Sequence, residues 1–292
     1  MTTEDRPVPQ RHENTDAFRG ASFHRVDLSG AALREVDLSG ATIRDSDVTG
    51  LRIVASVVDD VHLSGHEGVG RVVVDDVDVS GYVSAELDRR HPERVLIREM
   101  RSADDVRAAW AVVNGRWDDA VAHAATLPEP VLNERVEGEW SFVETVRHLL
   151  FADDIWVGRM LADEPSPFHP LGLPPTDTTE AGAAEMGLTL HARPSLDEVV
   201  ALHRERRKRF TGLLLRVTDA ELPAVRTAVL APDWGEESFT VIECLTVVVR
   251  EHAEHLRFAE RDLAVLEPQP AGAAQAGSSS LSSHTASSES TR

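Results

Sequence analysis

The 292-residue chain has a single cysteine, Cys244, a single lysine, Lys208, and a single tyrosine, Tyr82. One thiol excludes an internal disulfide and fits a reducing compartment. No apolar run approaches the roughly 20 residues that a membrane-crossing helix needs. The opening MTTEDRPVPQRHEN carries no apolar signal region, so a cytoplasmic protein without a membrane partner is expected. Basic side chains are outnumbered, 30 against 50 acidic, for a formal charge of −20. A nucleic-acid ligand is therefore not expected, because phosphate binding needs a basic face that displaces counterions. Arginine in place of lysine points to a GC-rich genome rather than to chemistry.

What the chain does have is a repeat. Phe18, Phe23, Leu28, Leu33, Leu38, Ile43, Val48, Ile53, Val58 and Leu63 follow one another at a spacing of five. Neither a helix, near 3.6, nor a strand, at two, has that period, so stacked identical units are implied. Two positions before these centres most residues are small, among them Ala21, Ala31, Ala41, Ser46 and Ser56. Segments such as AALREVDLSG and ATIRDSDVTG resemble the pentapeptide-repeat family. That resemblance implies a short right-handed quadrilateral β-helix of two to three coils over residues 16–83, ended by a hairpin in RVVVDDVDVSGYV. Such a solenoid is a place where a protein partner or a second copy would dock. Some members of the family imitate DNA and protect gyrase. Here residues 17–67 hold five arginines against eight acids, a net of −3 that makes a poor phosphate ladder.

Residues 1–15 read as a disordered start and 84–100 as a connector, and the Ala/Gly/Ser/Thr-rich 268–292 reads as a disordered tail. Between them, 101–267 reads as an all-α four-helix bundle. Its helices are expected near 102–127, 141–162, 195–217 and 240–266, opened by Ser102, Ser141, Ser195 and Thr240. Glu144, Glu198 and Glu243 stand three residues beyond the last three of these, as capping boxes require. The connection over 163–194 is too rich in proline to be helical and is long enough to roof a pocket.

Polar residues on apolar faces mark the candidate site. Glu251 and His255, four apart, share the face of Cys244, Val248 and Phe258. A buried Glu and His without partners are costly, and a divalent cation satisfies both. His148, on the apolar second helix, is the candidate third ligand. His252, three residues before His255, is an alternative to Glu251. A hydrogen-bonded core histidine and a solvated EHAEH face are the readings that need no metal. Cys244 reads as a small core residue, His169 as a loop residue and HRERRKRF (203–210) as a solvated, ion-paired face.

Residues 100–267 resemble the DinB-like superfamily, which includes thiol-dependent S-transferases and the mycothiol-dependent maleylpyruvate isomerase. The resemblance is carried by GEWSFVETVRHLLFADDIW, PSPFHPLGLP and CLTVVVREHAEHLRFAERDL. It implies a divalent metal, zinc or nickel, on His148, Glu251 and His255. It also implies a small electrophilic substrate and a low-molecular-weight thiol, mycothiol in an actinobacterium, as cosubstrate. A non-catalytic interaction scaffold is the rival expectation.

Overall fold

The computed structural model describes residues 12–267 except 14, 45, 59–60, 64–69, 177 and 233. The expectations for residues 1–11 and 268–292 lie outside these. The chain divides into two compact units, Met1–Val61 and His62–Arg292.

In the first unit the repeat shapes the backbone every ten residues. Gly20, Gly30, Gly40 and Gly50 take φ between 68° and 77°, and each occupies the third position of a turn. The amides of Ala21, Ala31, Ala41 and Leu51 close these turns on the carbonyls of Phe18, Leu28, Leu38 and Val48 at 2.9–3.0 Å. A positive φ at that position is the type II turn's demand for glycine. Before three of the turns, Asp27, Asp37 and Asp47 accept from the amides of Ser29, Ser39 and Thr49 at 2.9 Å.

The expected β-helix is nevertheless not formed among the described residues. No strand is present over 12–63, and the apolar centres are exposed, from 45% at Phe18 to 67% at Leu33. A stack of two to three coils gives each unit few neighbours against which to bury its apolar side chain.

The second unit opens with the hairpin expected as the solenoid's end, β1 (Val73–Val74) paired with β2 (Val77–Asp78). Helices α1 (Ser80–Arg90) and α2 (Glu93–Glu99) follow. The bundle consists of α3 (Ala103–Ala124), α4 (Phe142–Asp153), α6 (Leu196–Leu214) and α7 (Val241–Leu266), with the short α5 (Glu180–Glu185) inside the long connection. Around the bundle α3 touches α6 and α7, and α4 touches the same two. Thus α3 faces α4, and α6 faces α7, across the two diagonals.

All four expected caps form. The hydroxyls of Ser102, Ser141, Ser195 and Thr240 accept from the amide three residues on, and Asp105, Glu144 and Glu243 return the bond to complete three capping boxes. The third position of α3 thus carries Asp105 where glutamate is the usual partner.

Four features depart from the sequence reading, the first being α5, since the connection over 163–194 is expected not to be helical and its helix lies beyond the proline-rich stretch. A π-helical turn, Asp154–Leu161, continues α4, with the Ala162 amide reaching back five residues to the Val157 carbonyl. An antiparallel hairpin, β3 (Val225–Val229) with β4 (Glu236–Thr240), fills the link between α6 and α7. The HRERRKRF run is not uniformly solvated: His203 is 0% and Arg207 3% exposed.

The main core lies between the four long helices around Trp110, Val113, Trp117, Leu149, Phe210, Val248 and Leu256. A second apolar cluster, around Phe151, Ile155, Met160, Met186, Leu230 and Cys244, sits where the connection and the β3–β4 hairpin cover α4 and α7. Burial pushes the Cys244 thiol up to about 11. An un-ionised thiol there packs as a small apolar residue.

Candidate metal centre

The site is built on α4 and α7. The Ser141–Glu144 capping box starts α4 and sets the phase that turns His148 inward, where it is 8% exposed. On α7 the spacing of four puts Glu251 and His255 one turn apart on the face that meets α4. The three expected residues come together: one ligand-capable atom from each lies within 4.8 Å of the others. The same Glu251 oxygen, Oε2, stands 3.5 Å from His148 Nε2 and 3.3 Å from His255 Nε2.

Burial raises the Glu251 carboxyl pKa, but the two imidazoles that bond it outweigh this, and the acid is held well below the usual carboxylate range. Burial lowers His255, against the raising influence of Glu251. An ionised Glu251 carboxylate and a His255 imidazole poised to be neutral match the protonation state a divalent ion requires of such ligands.

His148 has a second partner. Its Nδ1 lies 3.0 Å from the carbonyl of Leu173. A carbonyl only accepts, so Nδ1 carries a hydrogen, which leaves Nε2, facing Glu251, as the nitrogen that an ion would take. Metal-ligating histidines are fixed in this way by a backbone carbonyl or carboxylate behind the ring.

Aromatic rings surround the cluster. Trp140 lies 4.5 Å from the His148 ring and 6.0 Å from the His255 ring, centroid to centroid, and the two imidazoles are 4.7 Å apart. Phe151, 6.4 Å from His148, stacks on Phe168 of the connection at 5.8 Å. These rings form an apolar wall that raises the strength of any charge interaction inside it.

His252 does not join the cluster. It is 0% exposed, and its Nε2 lies 3.1 and 3.2 Å from the two carboxylate oxygens of Asp153. His169 does not join it either: its amide donates to Asp154 and its Nδ1 accepts from the Leu171 amide.

Three buried polar groups next to the site escaped the sequence reading. Asp153 and Asp154, adjacent in sequence, are both buried, the first against His252 and the second against Arg206 Nε at 2.7 Å. Burial raises the Asp154 pKa in spite of that partner. His203 stacks on His252 at 5.4 Å and 9° across the α6–α7 diagonal, with no hydrogen-bond partner for either ring nitrogen among the described residues. A signal for His203 existed: Val199, His203, Arg207, Phe210 and Leu214 follow the helical period beneath the charge run.

The sequence model of the DinB superfamily matches residues 85–259, more than half of the chain, and that of pentapeptide repeats matches residues 17–50 in eight copies. No curated protein and no solved structure matches the chain.

Proposed function

Since the chain belongs to the DinB superfamily, we propose that His148, Glu251 and His255 hold one divalent cation, zinc or nickel, and that the site transfers a small thiol to an electrophilic metabolite. The observation that carries this reading is the convergence of two imidazoles and a carboxylate, from two helices, within 4.8 Å. Their chemistry fits such an ion: nitrogen and carboxylate donors suit zinc, and three protein ligands leave a coordination position open, as catalytic sites do.

A cation held there by His148, Glu251 and His255 would supply Lewis acidity that lowers the pKa of a thiol, so that its proton passes to water; a free thiol of pKa about 8.5 is only about 3% ionised at pH 7. The protein's part is placement. Glu251 contributes the single negative charge and the histidines none, so part of the ion's positive charge stays available to a thiol. Trp140, Phe151 and Phe168 limit water and offer an apolar wall to the electrophile, which raises the effective concentration of the two reactants. The thiol comes from outside, because Cys244 is fully buried and its pKa is raised. Mycothiol is the cosubstrate we assign, with zinc or nickel as cofactor.

Elemental analysis of protein purified without added metal tests the ligand set. About one equivalent per chain is expected, and His148→Ala and His255→Ala should each lose it with helix content retained. A metal-free wild type whose thermal stability does not respond to added zinc would overturn the reading. Consumption of an electrophile with mycothiol, and not without it, then tests the transfer.

A second reading, a non-catalytic interaction protein, is favoured by the exposed apolar row of the repeats, from Phe18 to Leu63. On that reading the ion is structural and mycothiol has no effect on any electrophile.

A further inference from the structure

We infer that Arg147 is a positioning residue, which straps the connection between α4 and α6 so that the Leu173 carbonyl fixes the tautomer and direction of the His148 ring. The inference rests on the metal reading of the site and extends it to a residue that touches neither ion nor substrate.

Arg147 is 3% exposed, and its guanidinium donates to backbone carbonyls. Nε donates to Leu171 at 2.9 Å, Nη1 to Ala192 at 2.9 Å and Leu190 at 3.2 Å, and Nη2 to Thr189 at 2.8 Å and Leu190 at 3.2 Å. Leu171 lies on the leg of the connection that leaves α4, and residues 189–192 lie on the leg that returns towards α6. One guanidinium therefore ties both legs to α4, and only a planar fork with five donors can do so from one side chain.

The consequence reaches the neighbouring residue. The Leu173 amide donates to the Arg147 carbonyl at 3.0 Å, and the Leu173 carbonyl accepts from His148 Nδ1 at 3.0 Å. Leu173 is thus clamped two residues from a carbonyl that the guanidinium holds. Packing leaves the leg little freedom: a Cβ added at Gly172 would meet the His169 carbonyl oxygen and a Leu188 methyl at 3.2 Å. Without the strap, Leu173 keeps only its own amide's bond to the Arg147 backbone, and its carbonyl is held less firmly behind the ring.

The connection has a second anchor that does not touch Leu173. Asp154 accepts from the His169 amide at 2.8 Å and from Arg206. It provides the control, since releasing it loosens the same connection by another route.

The test is a long-range ¹⁵N–¹H spectrum of the histidines in the full-length, metal-stripped chain, paired with zinc affinity by chelator competition. Wild type should show His148 with its hydrogen on Nδ1. Arg147→Lys keeps the charge and loses the fork. It should mix the tautomers and weaken zinc by about 10–100-fold, the usual effect of losing an outer partner of a ligand. Asp154→Asn should leave both readouts at wild-type values. A wild-type His148 without a hydrogen on Nδ1 overturns the inference without any variant. So do wild-type readouts in Arg147→Lys, or equal losses in Asp154→Asn. If wild type takes no zinc while its His148 tautomer depends on Arg147, the metal reading fails and the positioning role stands.

Discussion

His203 is the residue least consistent with a well-satisfied core. Both of its ring nitrogens are buried without a hydrogen-bond partner among the described residues, Trp117 meets it edge-on at 4.9 Å, and burial holds its pKa well below the ordinary histidine range. A neutral, unbonded imidazole in that position costs about 1–3 kcal/mol. His203→Leu, close in volume and free of polar atoms, should therefore stabilise the fold by about that amount, seen as a rise in the urea midpoint. A fall would show that the nitrogens have partners, internal water being the obvious one. The site residues differ from His203 in how plainly the sequence announced them. Glu251 and His255 interrupt an apolar stripe at a spacing of four, and His148 does so on a helix that is apolar nearly all round. His203 opens a run of six charged neighbours, residues 204–209, that conceals its periodicity. Arg147 was unreadable for another reason. Its partners are carbonyls, which no side-chain pattern encodes.

At the scale of elements, helix starts were the most legible feature, because Ser102, Ser141, Ser195 and Thr240 act locally through their own amide three residues on. The π-turn was not legible. It arises where an extra residue is accommodated in the helix, and it begins at the second of two consecutive aspartates that face different helices. The capping boxes carry a pH dependence. Burial raises the Glu144 pKa, but Arg135 and the Ser141 amide and hydroxyl outweigh it, so the net shift is downward. Asp105 and Glu243 are lowered as well, chiefly by the Ser102 and Thr240 hydroxyls. A carboxyl depressed in the folded state contributes stability above its unfolded pKa, near 4.3 for Glu, and that contribution is lost as pH falls through the folded value. The urea midpoint should thus decline on acidification from about pH 5 to pH 3. Glu144→Gln, which keeps a side-chain acceptor for the Ser141 amide, should decline less steeply. Identical slopes in the two proteins would remove Glu144 from the account.

For the whole molecule, the repeat marks equivalent positions, and turns recur every ten residues at Gly20, Gly30, Gly40 and Gly50, but the expected β-helix is not shown among the described residues. Periodicity reports which residues are equivalent. Whether they are buried depends on how many units stack. The bundle, by contrast, was readable because each long helix carries its own amphipathic stripe. Among the described residues no helix is long and apolar enough to cross a membrane. The division at His62 gives a test of independence: a chain beginning there should keep its helix content and its metal stoichiometry, and loss of metal would tie the site to the repeats. The central claim, that side chains from two helices share one ion, is tested most directly by anomalous diffraction at a metal edge from crystals of protein purified without added metal. The account predicts one peak, about 2.0–2.2 Å from His148 Nε2, His255 Nε2 and a Glu251 oxygen. A peak on other residues, or no peak there after zinc is supplied, would contradict it.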